Sequence, residues 1–286
     1  MNLIIDFHRD WIEIVSQEIT ALGYTIPPGT TERNIATIYF NVLRRMVPAQ
    51  KRVVHTSKEF VCPAEVQSSL EALRIKIRNG DDVNPHLSRK LPSPVYNDPM
   101  LNDWGIQHLH LGEVLQPNGM IKGTRLVLFA LFTSSAAYEI QIYDHGNWSN
   151  RDVIEIVHNN WPQLIRRASD PTMLDLSHNP TSEGIAQLRE VHVNSLLKTK
   201  DGTVYTPIGG GVATDGTSMI VVLQVNQHVR WLSTAEELFR SEIDKVIPKL
   251  TALGYSEGQD LTFRFDHDST GAWANCVEYP LKVKLK

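Results

Sequence analysis

The sequence predicts a mixed α+β fold: a helical N-terminal region followed by antiparallel sheet with packed helices. Three observations carry that reading. Apolar residues recur at spacings of three and four through the first hundred positions, a stretch beyond them alternates or runs wholly apolar between glycines, and the last hundred positions repeat a strand-and-helix pattern. At 286 residues, with 42% hydrophobic and 21% charged, the chain is long and apolar enough for a sizeable core in one domain or two. A formal charge of −4 gives no global attraction to nucleic acid or anionic lipid, so a nucleic-acid contact needs a local basic patch.

Residues 3–22 place Phe7, Trp11, Val15, Ile19 and Leu22 on one helical face, with Gly23 as the stop. Thr31 caps a second helix with Ile35, Ile38, Val42 and Met46 inward, which Pro48 ends. Pro63 opens a third, with Val66, Leu70, Leu73 and Ile77 inward and Gly80 closing it. Residues 80–103 carry Pro85, Pro92, Pro94 and Pro99, which excludes a regular helix or central strand and favours a long loop draped over the segment from Trp104 onward. Strands are expected at 106–111, 125–133 and 138–143, joined as an antiparallel meander, with a helix at 150–167. A helix at 181–190, strands near 192–198, 204–214 and 217–226, a helix at 234–253 and strands at 260–267 and 273–284 complete the chain. The segments group as 1–100, a helical region with its proline-rich loop; 101–170, sheet plus helix; and 171–286, a second sheet-and-helix unit.

Cys62 and Cys276 match no metal-binding spacing and read as free thiols in a reducing compartment. The N-terminus lacks the pattern of a signal peptide, and the longest apolar run, 126–132, is too short to span a bilayer. A cytoplasmic location without a membrane partner is the expectation.

Chemistry concentrates in 104–148. Strand alternation puts His108 and His110 on one face, and a meander returns Asp144 and His145 toward them. The leading reading is metal-independent acid–base cleavage of RNA. His108 and His110 move protons, His145 is a third proton carrier or a positioning group, and Arg125 stabilises the phosphorane. Trp104, Tyr143 and Trp148 are the aromatic candidates for substrate binding. The metal alternative makes His108 and His110 a chelate on one strand, completed by His145 for zinc or by Glu113 or Asp144 for iron. The non-enzymatic alternative is a binding protein whose histidines are satisfied structurally, with a homo-oligomer or a protein partner. It is favoured if the three imidazoles do not converge on one accessible pocket.

The remaining features have plainer explanations. Gly209-Gly210-Gly211 lacks the sequence context of a phosphate loop and marks a close backbone approach. Arg44-Arg45 with Lys51-Arg52, and Arg166-Arg167, suit solvated helix ends. Tyr96 to Asp103 can carry substrate-binding side chains or a structured turn, and Asp266-His267-Asp268 suits a strand end.

The string Trp104-Gly105-Ile106-Gln107-His108-Leu109-His110-Leu111-Gly112, followed by Asp144-His145-Gly146-Asn147-Trp148, resembles a pattern in uncharacterised bacterial and mobile-element proteins, over about residues 101–148. The resemblance implies a leaning toward toxin or defence-related nucleases and assigns no catalytic residue. Gly105, His108, His110, Glu113 and Gly119 also resemble the first cupin metal motif in kind, but the spacing departs from it.

Overall fold

The computed structural model describes residues 2–173 and 175–285. The chain begins β1 (Leu3–Ile5), α1 (Phe7–Ala21), α2 (Glu32–Arg45), β2 (Val53–Thr56), α3 (Gln67–Asn79) and α4 (Pro99–Trp104). It continues with β3 (Gln107–His110), β4 (Leu126–Phe132), β5 (Ala136–Asp144), α5 (Asp152–Asn160), α6 (Pro162–Ile165) and α7 (Ser182–Glu190). The last part is β6 (Leu197–Lys198), β7 (Val204–Tyr205), α8 (Met219–Ser241), α9 (Ile247–Ala252), β8 (Leu261–Asp268), β9 (Gly271–Cys276) and β10 (Lys282–Lys284). This is the mixed α+β fold the sequence predicts, with mixed sheets and packed helices. No helix among the described residues is long and apolar enough to cross a membrane, and Cys62 and Cys276 are both free thiols.

Contacts gather the chain into two compact units. One joins the N-terminal stretch through Phe40 to everything from Val221 onward; the other is Asn41–Ile220. In the first, the sheet runs β1-β8-β9-β10, with β1 parallel to β8. Phe7, Trp11 and Val15 of α1 and Val221, Val225, Leu232 and Phe239 of α8 pack on Phe263 and Phe265 of β8. Buried Asp10 ties α1 to that strand, accepting from the Phe265 amide at 2.8 Å and from the Arg264 guanidinium. Asp268 closes β8 by capping the turn at Thr270, beside Lys282.

Several elements differ from expectation for identifiable reasons. Leu3–Ile5 is strand because Asp6 caps the helix only from Phe7, freeing the apolar triplet to pair with Leu261–Phe263. The strand expected at 217–226 is helix from Met219 onward, in α8, because burial at Val221, Val225 and Leu232 follows a helical period and overrides local propensity, while Ser218 alone bridges to Val212. Pro162 divides the 150–167 helix into α5 and α6, and the helix expected at 234–253 is broken by a tight turn between α8 and α9. The strands near 192–198 and 204–214 shrink to two-residue pairings, and the 273–284 strand divides into β9 and β10. The proline-rich loop contains α4, opened by Asp98 accepting the Met100 and Leu101 amides at 3.1 Å with Pro99 in the first turn.

The second unit is built on a four-stranded sheet ordered β2-β5-β4-β3. The expected meander of β3, β4 and β5 is present, and β2 adds a parallel edge to β5. Two apolar layers cover it. On one side Leu70, Leu73 and Ile77 of α3 pack on Leu109, Leu128 and Ala130. On the other, Met100 and Trp104 of α4, Val153 and Val157 of α5 and Ile185 of α7 pack on Val127, Phe129 and Ile140. Glu139 of β5 has no exposed surface and is gripped by Arg74 of α3 at 2.6–3.1 Å, with the Thr56 hydroxyl donating at 3.0 Å. Removing the guanidinium leaves a buried, unpaired carboxylate. Arg74→Met should therefore lower the stability of this unit by about 3–5 kcal/mol, read as a shift in the urea unfolding midpoint.

Candidate functional site

Register places the first two histidines. His108 lies opposite Phe129 and His110 opposite Val127, so both share the sheet face covered by α4, α5 and α7. His145 follows β5 directly, beside the start of β4. The three rings form a compact group. His110 and His145 are nearly parallel at 5.6 Å between centroids, and His108 stands across them at 6.0 and 6.5 Å. Trp148 completes it, 4.3 Å from His108 and 4.7 Å from His145, and stacks on Phe129 at 5.7 Å.

His108, His110, His145 and Trp148 all line one cavity of about 400 Å³. Its other walls come from the proline-rich loop and α4, including Arg89, Lys90, Tyr96 and Asp98, and from Arg189 and Glu190 of α7. The loop therefore does drape over the site. Lys90 lies 5.3 Å from the Tyr96 ring centre. Arg89 makes no ion pair with a described residue, and its guanidinium rests against Gly123, where a Cβ would stand 3.0 Å from it. Arg189 is committed elsewhere: it pairs with Asp103 at 2.8 Å, lies 4.1 Å over the Trp104 ring and donates to the Trp148 carbonyl.

The environment decides protonation. Burial pushes the His108 pKa down to about 4, helped by His145. Burial does the same to His110, to about 4, with His108, His145 and Arg89 adding to the effect. Both imidazoles are neutral at pH 7. In His110 the tautomer is also fixed. Nδ1 accepts the Thr124 amide, which can only donate, at 3.1 Å, while the Thr124 hydroxyl donates to the Leu126 carbonyl at 2.6 Å. The single ring proton must then sit on Nε2. Behind the strand, Lys76 donates to His86 Nε2 at 3.1 Å and His86 Nδ1 donates to the His110 carbonyl at 2.9 Å. Burial raises the Asp98 pKa against the two amides it caps and the nearby charges of Arg189 and Arg45.

Other residues singled out in the sequence lie elsewhere. Arg125 is exposed and held by Glu65 at 2.7 Å and by Asp144, so neither it nor Asp144 lines the cavity. Glu113 accepts the Ser68 and Ser69 hydroxyls at 2.8 and 3.1 Å. Tyr143 packs edge-on against Phe129 at 5.3 Å, and Trp104 has no exposed surface beneath Arg189. Among the described residues, no group of three or more His, Cys, Asp or Glu side chains is arranged to hold a metal ion. The cations of the cavity lining without an ion pair among the described residues are Arg89, which acts on His110, and Lys90, a basic pair inside the proline-rich stretch. That placement is the only sequence signal that could have found them.

Compared with protein-family models, curated proteins and solved structures, the chain matches none.

The depressed histidine values set a stability window. The unfolded chain takes up protons near 6.5, whereas folded His108 and His110 resist them down to about 4. Stability is therefore intact above about pH 6.5 and is lost as pH falls toward 4. His108→Phe should flatten part of that decline in urea midpoints measured across the window.

Proposed function

We propose that the cavity is the active site of a metal-independent endoribonuclease that uses the substrate's own 2′-hydroxyl as nucleophile. The observation that carries this is the convergence of three imidazoles and the unpaired Arg89 on one cavity walled by Trp148. Neutral His108 is available to accept the 2′-hydroxyl proton. The 2′-oxygen attacks phosphorus, and the bond to the 5′-oxygen breaks. His145, the solvent-exposed imidazole, returns a proton to that leaving oxygen. The products are a 2′,3′-cyclic phosphate and a 5′-hydroxyl.

His110 has a different task. With Nδ1 occupied and the proton on Nε2, it is a hydrogen-bond donor to a phosphoryl oxygen as charge develops. Arg89, with Lys90 beside it, supplies the positive charge that the sequence pattern alone would assign to Arg125. Trp148 offers an aromatic wall for an unstacked base, which suits single-stranded RNA.

His110→Asn separates structure from chemistry, since Asn Oδ1 can still accept the Thr124 amide while the Nε2 donor is gone. Cleavage of single-stranded RNA should fall roughly 100- to 1,000-fold with little change in melting temperature. Arg89→Ala should be comparably impaired, whereas Arg125→Ala should stay within about twofold of wild type. Wild-type cleavage by both His110→Asn and Arg89→Ala would sink the proposal.

A further inference from the structure

A second cavity of about 410 Å³ in the same unit is lined by Arg44, Arg52, Gln107, Phe132 and Ser134, among others. It belongs to the opposite side of β3, since Gln107 precedes His108 and strand alternation turns them to different faces. Neither arginine is ion-paired with a carboxylate among the described residues, although the charge of Asp98 acts on Arg44. Arg44 uses Nη2 on the carbonyls of Leu101 at 3.1 Å and Gly209 at 2.7 Å, with Nε reaching Asn102. Arg52 uses Nε on the Thr133 carbonyl at 2.8 Å and Nη1 on those of Pro48 and Gln50 at 2.8 and 3.1 Å. Those carbonyls hold the guanidiniums in place without neutralising them. Arg44 Nη1 and Arg52 Nη2 remain without a hydrogen-bond acceptor among the described residues, and neither is sealed from solvent.

The site is rigidly framed. Gly209 abuts the end of α4, where a Cβ would collide with the Leu101 and Asn102 carbonyl oxygens, and its amide donates to the Asp103 carbonyl at 2.7 Å. Arg44 bridges that junction. The Gln107 amide is oriented by its Nε2 donating to the Arg45 carbonyl at 3.0 Å. Ser134 sits exposed on the wall, and its hydroxyl makes no hydrogen bond with a described residue.

We infer that this cavity binds a phosphate group. Each guanidinium offers one free Nη rather than a paired edge, so neither can take a planar carboxylate two-pronged. Two single donors from different segments suit two oxygens of one tetrahedral anion. Burial lowers the pKa of both arginines, opposed at Arg44 by the charge of Asp98 and at Arg52 by no carboxylate, and a bound anion offsets that cost. The inference is independent of the ribonuclease reading, because it uses none of the residues of the histidine cavity.

The test is isothermal titration of the full chain carrying Arg89→Ala, at fixed ionic strength, with inorganic phosphate and separately with adenosine 5′-monophosphate. One equivalent of phosphate should bind. Arg44→Gln should weaken it by about tenfold or more, the loss of one charge-assisted hydrogen bond. Ser134→Asp should do the same by repulsion while removing no structural contact, which keeps the test valid if Arg44→Gln fails to fold. Tighter binding of the nucleotide assigns the site to a nucleotide or RNA phosphate, and equal or weaker binding assigns it to the free anion. Failure of millimolar phosphate to bind, or binding unchanged in Ser134→Asp, would overturn the inference.

Discussion

The pairing register of β3 on β4 is the constraint on which the site depends. β3 is an edge strand with β4 as its only neighbour in the sheet, yet all four of its residues are buried. Leu109 opposite Leu128 anchors one face to the α3 layer, and His108 opposite Phe129 anchors the other. A slip of one residue would turn both imidazoles into the apolar layer of Leu70 and Leu73 and send Gln107 and Leu109 into the cavity. The same register brings in the third ring. Leu126 pairs with Asp144, so the residue after β5 arrives beside the strand that already holds His110 level with Val127. The convergence is thus a property of the meander and needs no special loop.

Burial on that face has an electrostatic consequence. His108 and His110, packed among Trp148, Phe129 and one another, are neutral at pH 7, and the Thr124 amide commits His110 to a donor role on Nε2. Neutral His108 and His110 attract no anion by themselves. Positive charge has to come from outside the sheet, and it does, through the loop that precedes α4. That loop is pinned at several points: Asn84 accepts the Val47 amide at 2.8 Å, the Pro85 carbonyl accepts Ile121 at 2.7 Å, and His86 reaches back to His110. Arg89 is therefore presented on a supported segment.

Much of the fold is legible in the sequence because it rests on short-range periodicity. The apolar spacing alone identifies the inner faces of α1 and α3 through Phe7, Trp11 and Val15 and through Leu70, Leu73 and Ile77, all of which are buried. The pair on β3 is legible for the same reason, since strand alternation puts His108 and His110 together. The hidden part is non-local. Nothing in Leu3–Ile5 announces that its partner is Leu261–Phe263 at the far end of the chain, and nothing local assigns Val53–Thr56 to an edge beside β5. The departure at α8 has another cause. Ile220, Val221 and Val222 carry strand propensity, and only the burial spacing that continues to Phe239 identifies the helix.

The exchange of Arg125 for Arg89 has the same origin and shows what a sequence withholds. A sequence names its arginines; it does not name their partners. In the second unit Arg74 belongs to Glu139, Arg189 to Asp103, and Arg125 to Glu65 and Asp144. Arg151 is spent on the carbonyls of Pro180 and Lys198. Each of these has its field cancelled or its donors occupied within the fold, whatever its nearness to the histidines in sequence. Arg89 has neither restriction, and it stands near enough to His110 to help depress that residue's pKa. In the proposed mechanism, the unpaired Arg89 is the cation that draws a phosphate toward neutral His108 and His110. On the same reading, His110 Nε2–H is the donor that receives that phosphate's oxygen.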